Sequence, residues 1–381
     1  MLVDDQAMIG EAVRRMLASQ DDIEYRYCDN PLEAIETARE WKPTVILQDL
    51  VMPDVDGLDL VRDYRADDAT SLVPIVVLSS REEAATKAEA FARGANDYLV
   101  KLPDPVEIIA RIRHHSEGFL ARIQRDSAYI ALEENEAHLR EELSKAAAYV
   151  QSLLPEPMND RVQTDWRFIP SVSLGGDAFG YHWLDDHRLA LFLLDVCGHG
   201  VGPALLSITA MNVISKKSLP NIDFGDPGAV LSELNNRFQM DDHQGMFFTI
   251  WYGVYDEQKK SLDWSGGGHP PALLMNKGSD SPLLLESDGP MVGAVKDLQF
   301  DTHTCDVDPG SRLVLYSDGI YEIKKPDNTL WTLEEFVELV ASQPSHDVSS
   351  VDAIIGSVKA VSGQNLFEDD CSVVEFTFAE S

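Results

Sequence analysis

The sequence predicts three successive parts: a doubly wound parallel α/β sheet, a long helical connector, and an α+β region of antiparallel sheets flanked by helices. Three observations carry this. Short apolar runs alternate with helical patterns through the first 116 or so residues, the signature of a parallel sheet with crossover helices. Between Glu117 and Leu154 there is no proline and the only glycine is Gly118, so nothing punctuates a helix. Beyond residue 155 strand-length runs follow one another across short turns, which suits antiparallel sheets.

In the first part, Met1-Leu2-Val3 leaves three residues of strand before the adjacent acids Asp4 and Asp5, as expected of a trimmed chain or a misplaced start. Further strands are expected at Val45-Ile46-Leu47, Ile75-Val76-Val77-Leu78 and Tyr98-Leu99-Val100, with helices near 7–18, 31–40, 57–66, 82–92 and 105–115. Sites in doubly wound sheets lie beyond the carboxyl ends of the strands. Asp4 and Asp5, Asp49, Ser79 and Lys101 all fall there, after the first, third, fourth and fifth strands. Any one alone reads more plainly as a cap or a solvated charge. Their recurrence makes coincidence a poor account.

With the segment Asp49-Leu50-Val51-Met52-Pro53-Asp54-Val55-Asp56-Gly57, these residues resemble the CheY-like receiver domain of response regulators, over residues 1–116. The resemblance implies that Asp49 accepts a phosphoryl group from a histidine kinase, a carboxylate being a workable nucleophile toward an activated donor. It implies a Mg2+ held by Asp5 and Asp49 with Asp4 nearby and the Val51 carbonyl, Lys101 on the phosphoryl oxygens, Ser79 turning to hydrogen-bond them, and Tyr98 in the place of an aromatic switch. Tyr98 is almost as well explained as an amphipathic strand residue. Leu102 intervenes between Lys101 and Pro103, where the family usually has proline directly after its lysine.

In the connector, 117–154, Tyr129, Leu132, Leu139, Leu143, Ala146, Val150 and Leu153 keep alternating three and four spacing, interrupted at Glu136 and flanked by charges. Such a stripe is a coiled-coil seam, and a polar residue within it can fix register. The expectation is a parallel homodimer through 117–154. A single amphipathic helix is the alternative.

In the last part, 155–381, strands are expected at Ala190 to Leu194, Phe247 to Tyr255, Ser261 to Ser265 and Leu313 to Tyr316, and helices near 201–217, 227–239, 332–341 and 349–361. The run Leu191-Phe192-Leu193-Leu194 delivers Asp195 and breaks at once into Val196-Cys197-Gly198-His199-Gly200, which is how a sheet presents a carboxylate to a metal or reacting group. Gly175-Gly176-Asp177, Gly267-Gly268-His269-Pro270-Pro271, Ser317-Asp318-Gly319-Ile320-Tyr321-Glu322 and Asp369-Asp370-Cys371-Ser372 join it. These blocks resemble the metal-dependent serine/threonine phosphatases, in the bacterial branch typified by the sporulation stage II E phosphatase. That family is two packed sheets flanked by helices. The resemblance implies Asp177, Asp195, Asp318 and Asp369 as carboxylate ligands of two Mn2+ or Mg2+ ions, with the Val196 carbonyl completing one site and Asp195 bridging. All-oxygen sites suit these hard ions.

His199 is expected to pack or hydrogen-bond under the glycine-rich turn, His269 to be structural and Cys197 to be filler. Gly180 departs from relatives that often carry an acid there; it and the segment Pro220 to Pro227 are candidates for a substrate surface, though each alone reads as an ordinary turn. The resemblance further implies a phosphorylated anti-anti-sigma (STAS-domain) protein as substrate, the freed partner then sequestering an anti-sigma kinase. A non-enzymatic adaptor, or an anti-sigma-type regulator binding through the same fold, is the alternative. The retained acids favour the enzyme.

Composition narrows the field. A formal charge of -34 at pH 7 argues against a nucleic-acid surface. The four cysteines form no Cys-x-x-Cys pair, so neither a disulfide framework nor a zinc site is indicated and a reducing cytoplasm is expected. No apolar run reaches the roughly 20 residues of a membrane span.

Overall fold

The computed structural model describes residues 1–381 except 54, 81, 172–173, 278–280, 287, 327, 343–349, 364–366, 368 and 380–381. Asp54, inside the segment 49–57, and residue 349, expected to open a helix, thus lie outside the described residues. The chain divides into two compact units, Met1–Ala137 and His138–Ser381.

In the first unit the elements run β1 (Leu2–Val3), α1 (Ala7–Leu17), β2 (Tyr27–Cys28), α2 (Ala34–Trp41), β3 (Ile46–Asp49), α3 (Gly57–Ala66), β4 (Ile75–Ser79), α4 (Ala84–Ala92), β5 (Asp97–Val100) and α5 (Pro105–Gln151). The strands form one parallel sheet in the order β2-β1-β3-β4-β5. Side chains of a strand alternate between faces, and here both faces are covered. Leu2, Leu47, Val76, Leu78 and Leu99 pack with Ile9 and Val13 of α1 and Ile108 and Ile112 of α5. Val3, Ile46, Ile75 and Val77 pack with Ala34 and Ala38 of α2 and Leu58, Val61 and Tyr64 of α3.

The expected boundary at residue 116 falls inside α5, a single helix of 47 residues, about 70 Å at 1.5 Å per residue. A Cβ at Gly118 would meet nothing within 4 Å, so this glycine costs helix propensity only and does not end the helix. The seam residues Tyr129, Leu132, Leu139 and Leu143 are exposed in the single chain.

The second unit continues with β6 (Val162–Ile169), β7 (Asp177–Trp183), β8 (Arg188–Val196), α6 (Val201–Ser215), α7 (Pro227–Arg237), β9 (Phe248–Asp256), β10 (Ser261–Gly267), β11 (Ala272–Met275), β12 (Leu283–Leu285), β13 (His303–Asp306), β14 (Arg312–Tyr316), α8 (Leu333–Ser342), α9 (Ser350–Ser362) and β15 (Cys371–Phe378). Two five-stranded antiparallel sheets result, β13-β10-β9-β8-β7 and β12-β11-β14-β15-β6. Alternation on β14 and β15 makes the layers. Leu313, Leu315, Val374, Phe376 and Phe378 join the core shared with β8 and β9. Val314, Tyr316, Cys371 and Val373 turn the other way, onto Phe336 and Val340 of α8 and Ile354 and Val358 of α9.

This layering corrects one expectation. Gly180 is buried in β7 opposite Phe192, and a Cβ there would sit 2.6 Å from the Phe192 ring. It is an interior position, and the small residue makes room for an aromatic ring. The segment Pro220 to Pro227 lies by Arg188, whose guanidinium pairs with Asp223 at 3.7 Å. Arg188 opens β8 and Asp195 nearly ends it, and the Phe224 carbonyl of the same segment accepts from the hydroxyl of Tyr252, the residue opposite Phe192 in the sheet, at 2.8 Å.

Because Phe192 is fully buried and cannot retreat, Gly180→Ala is expected to destabilise the second unit by roughly 1–3 kcal/mol, lowering its melting temperature by several degrees in calorimetry while hydrolysis of p-nitrophenyl phosphate at 20 °C stays near wild type. An unchanged melting temperature with altered turnover would return Gly180 to the substrate groove.

Candidate functional site

Two clusters of acids gather in the molecule, one in each unit, and they are built on different electrostatic principles.

In the first unit, β1 and β3 are neighbours at the point where the strand order reverses, and their carboxyl ends deliver Asp4, Asp5 and Asp49 together. One ligand oxygen from each lies within 4.8 Å of the others. Asp4 and Asp49 are buried, and Lys101, following β5, reaches both: Nζ is 2.7 Å from Asp4 and 2.8 Å from Asp49. The unusual Leu102 therefore does not displace the lysine. Burial pushes the Asp49 carboxyl above its ordinary range, and Lys101 only partly counters this. Burial likewise opposes the Lys101 charge, but its two carboxylates outweigh that and raise it. Ser79 is buried at the end of β4. The Val51 N–H donates to Asp49 Oδ1 at 3.3 Å. Tyr98 is half-buried, with Lys87 Nζ 5.4 Å from its ring centroid. Asp5 Oδ1 is buried without a hydrogen-bond partner, which is the condition a hard cation would relieve.

In the second unit, Asp177 begins β7 and lies directly across from Asp195 near the end of β8. Opposed residues of an antiparallel pair have Cα atoms about 4.5–5.5 Å apart, so register alone brings these carboxylates together. From the second sheet, Asp318 follows β14 and Asp369 precedes β15. These strands are neighbours, which puts the two acids side by side. Among the described residues no lysine or arginine pairs with any of the four. The electrostatics follow. Burial, then the charge of Asp195, hold Asp177 well above the usual carboxylate range. Burial, then Asp318 and Asp369, push Asp195 up to about 7. Burial, then Glu322 and Asp369, raise Asp318 to about 6. Asp177 Oδ1 is buried with no hydrogen-bond partner. An all-carboxylate set under this repulsion fits divalent cations. Unlike the first cluster, it does not draw three ligand atoms within 4.8 Å of one another; among the described residues only Asp4, Asp5 and Asp49 do so.

The neighbouring residues sort differently. His199 is exposed in the glycine-rich turn, so it does not pack beneath it. His269 is buried, hydrogen-bonds Thr249 Oγ1 through Nδ1 at 2.9 Å, and is pushed down to about 3 by burial, a structural neutral imidazole. Cys197 accepts from the Phe247 N–H at 3.4 Å and packs the turn. Asp370 is not distinguishable in sequence from Asp369, yet the two differ sharply: Asp369 is exposed and Asp370 is buried. Asp370 accepts from the Ser171 N–H at 2.8 Å and the Gly176 N–H at 2.6 Å. Strand parity would have found it, because Asp370 and Ser372 share the inward face of β15 with Val374 and Phe376.

Comparison with known proteins finds relatives of both units. The family model described as Stage II sporulation protein E (SpoIIE) matches residues 185–379, and the response regulator receiver domain model matches residues 1–113. The phosphoserine phosphatase RsbP of Bacillus subtilis is 31% identical over 188 residues, covering 48% of this chain and 46% of RsbP. The transcriptional regulatory protein ResD of the same organism is 34% identical over 113 residues, 30% of this chain and 45% of ResD. The chain thus spans about half the length of these curated relatives. The SiaA-PP2C domain of Pseudomonas aeruginosa superposes with a TM-score of 0.56 at 17% identity, over 64% of this chain and 98% of that domain, a likeness of fold.

The raised carboxyls carry a pH signature. Folded Asp195 and Asp318 hold protons more tightly than the ordinary 3.8, so the metal-free fold keeps their contribution at low pH and loses it as pH rises through about 6 and about 7. Asp195→Asn cannot ionise. In chelator it is expected to melt above wild type at pH 8, with the gap closing toward pH 5, while Mn2+-dependent hydrolysis is abolished. A gap that did not change with pH, or turnover like wild type, would contradict this electrostatic account.

Proposed function

The chain belongs to the stage II sporulation protein E family, and from that premise we propose that it is a metal-dependent protein serine/threonine phosphatase controlled by phosphorylation of Asp49. In this reading the receiver spans residues 1–116, the helical connector 117–154 and the phosphatase domain 155–381. The observation that carries it is the cluster of Asp177, Asp195, Asp318 and Asp369, contributed by both sheets and, among the described residues, paired with no lysine or arginine. Those acids, with the Val196 carbonyl, would hold two Mn2+ or Mg2+ ions. When bound, such ions lower the pKa of water and offset charge developing on a phosphoryl group. The chain's own part would be to hold these carboxylates close together, with Asp195 as the ligand common to both ions, at an end of the sheets where a phosphoserine or phosphothreonine could be bound. No side chain in the cluster is needed as a nucleophile, and hydrolysis proceeds without a covalent enzyme intermediate.

On the receiver, Asp4, Asp5, Asp49 and the Val51 carbonyl would hold one Mg2+. Asp49 would take the phosphoryl group from a histidine kinase, and Ser79 and Lys101 would contact its oxygens. The exposed stripe of α5 supports a homodimer through residues 117–154, since such a seam in water favours a partner helix. The substrate reading follows the phosphatase branch: a phosphorylated anti-anti-sigma (STAS-domain) protein, in a partner-switching pathway in the cytoplasm. RsbP, a phosphoserine phosphatase, is consistent with that class.

The purified chain with Mn2+ is expected to hydrolyse p-nitrophenyl phosphate and to release phosphate from a phosphorylated STAS-domain protein of the same genome. Turnover of the small ester with no action on any such protein would reject the substrate class; no turnover of either would reject the phosphatase.

Acetyl phosphate is expected to label Asp49, Asp49→Asn to abolish the label by intact mass and peptide mapping, and light scattering of both proteins at micromolar concentration to give a dimer. A label elsewhere would overturn the receiver chemistry, and a monomer in every state would overturn the coiled coil.

A further inference from the structure

We propose that Asp370 and Ser372 are positioning residues, a clamp between the two sheets that sets Asp177 against the acids of the second sheet; this rests on the metal-dependent phosphatase reading.

The clamp begins with strand parity. On β15 the residues facing the first sheet are Val374, Phe376 and Phe378, and continuing that alternation backwards reaches Ser372 and then Asp370. Where the later residues bring hydrocarbon to the shared core, these two bring hydrogen-bonding groups, and both are buried. The Ser372 hydroxyl donates to Asp177 Oδ2 at 2.6 Å. The Asp370 carboxylate accepts from the Ser171 N–H at 2.8 Å, the Ser171 hydroxyl at 3.1 Å and the Gly176 N–H at 2.6 Å. One strand therefore holds both the side chain of Asp177 and the backbone that leads into it.

The clamp is itself braced. The Ser317 hydroxyl donates to the Asp370 carbonyl at 3.2 Å and accepts from the Ser372 N–H at 2.9 Å, and the Ser317 N–H donates to the Ser372 carbonyl at 3.0 Å. Ser317 immediately precedes Asp318. The positions of Asp177, Asp318 and Asp369 are thus referred to one short segment, 369–372. Two glycines of the sequence blocks, Gly175 and Gly319, make room for it, and a third, Gly176, makes room for the Val196 carbonyl. A Cβ on Gly175 would come within 2.7 Å of the Asp370 carboxylate, one on Gly176 within 2.6 Å of the Val196 carbonyl, and one on Gly319 within 2.2 Å of the Asp370 carbonyl.

The consequence for the metal centre lies in which oxygen is left over. Ser372 occupies Asp177 Oδ2, and Oδ1 remains buried without a partner. Fixing one oxygen by an outer hydrogen bond orients the other toward a cation, and loss of such a partner typically weakens metal affinity or activity about tenfold to a hundredfold.

The test is calorimetric titration of Mn2+ into the full chain, with melting curves in chelator as a check on folding. Ser372→Ala is expected to bind Mn2+ at least about tenfold more weakly, Ser372→Thr to recover most of the affinity because it keeps the hydroxyl, and Asp370→Asn, which keeps one acceptor oxygen, to fall between. In p-nitrophenyl phosphate hydrolysis the Mn2+ concentration for half activity should rise in the same order. If Ser372→Ala does not fold, Ser372→Cys, similar in size but a weak donor, takes its place with the same expectation. Affinity like wild type in the folded alanine or cysteine variant, or no recovery in Ser372→Thr, would overturn the clamp and leave the phosphatase reading standing. A wild-type chain that bound no Mn2+ and hydrolysed nothing would overturn both.

Discussion

The constraint on which the second unit depends is mutual repulsion among carboxylates held at one end of two packed sheets. Folding must bring Asp177, Asp195, Asp318 and Asp369 close while taking some of them out of water, and among the described residues no positive side chain balances them. Removing charge from water without a partner is among the costliest things a fold can do. The site survives because the cost is spread over structure that is strong for other reasons. Asp195 ends a strand whose residues Leu189 to Leu194 are completely buried, and Ser317, Asp370 and Ser372 tie the second sheet to the first by hydrogen bonds that leave none of their side chains in solvent.

The first unit answers the same problem differently. There a lysine sits 2.7–2.8 Å from two of the acids, so the cluster is compensated from within. The contrast has a practical meaning for the chemistry proposed for each. A site that receives a phosphoryl group must tolerate large changes in charge and is served by a permanent cation. One that depends on two exchangeable ions is better left without a competitor for its carboxylates.

Much of this is legible in the chain. β8 announces itself because an uninterrupted apolar run ends in one acid and glycines, and the first unit because Asp4, Asp5, Asp49, Ser79 and Lys101 all fall beyond strand ends. What is not legible has physical reasons. β2 and β12 are two and three residues long, too short for periodicity to register. The single helix α5 reads as two because residues 105–115 complete the alternating pattern of the parallel sheet while 117–154 carry a seam of their own, and nothing in the sequence shows that the two run on without a break. Gly180 reads as a surface turn because the ring that requires it, Phe192, is twelve residues away and adjacent only across the sheet. Asp369 and Asp370 are the same residue type in adjacent places; only the parity of β15 assigns one outward and the other inward.

The position of each acid within its sheet also determines how easily the centre could be dismantled. β8, β14 and β15 are interior strands, bonded on both sides, whereas β7 lies at the edge of its sheet. Drawing Asp195 away means disturbing two ladders of backbone hydrogen bonds, and Asp318 and Asp369 adjoin the ladder between β14 and β15. Drawing Asp177 away disturbs one, together with the contacts of α6, which packs on β7, and the hydrogen bonds by which Ser372 holds Asp177 and Asp370 holds Gly176. The four acids are therefore unequal in mechanical terms: three adjoin a chassis of interior strands, and the fourth sits on an outer panel that Ser372 and Asp370 latch to it.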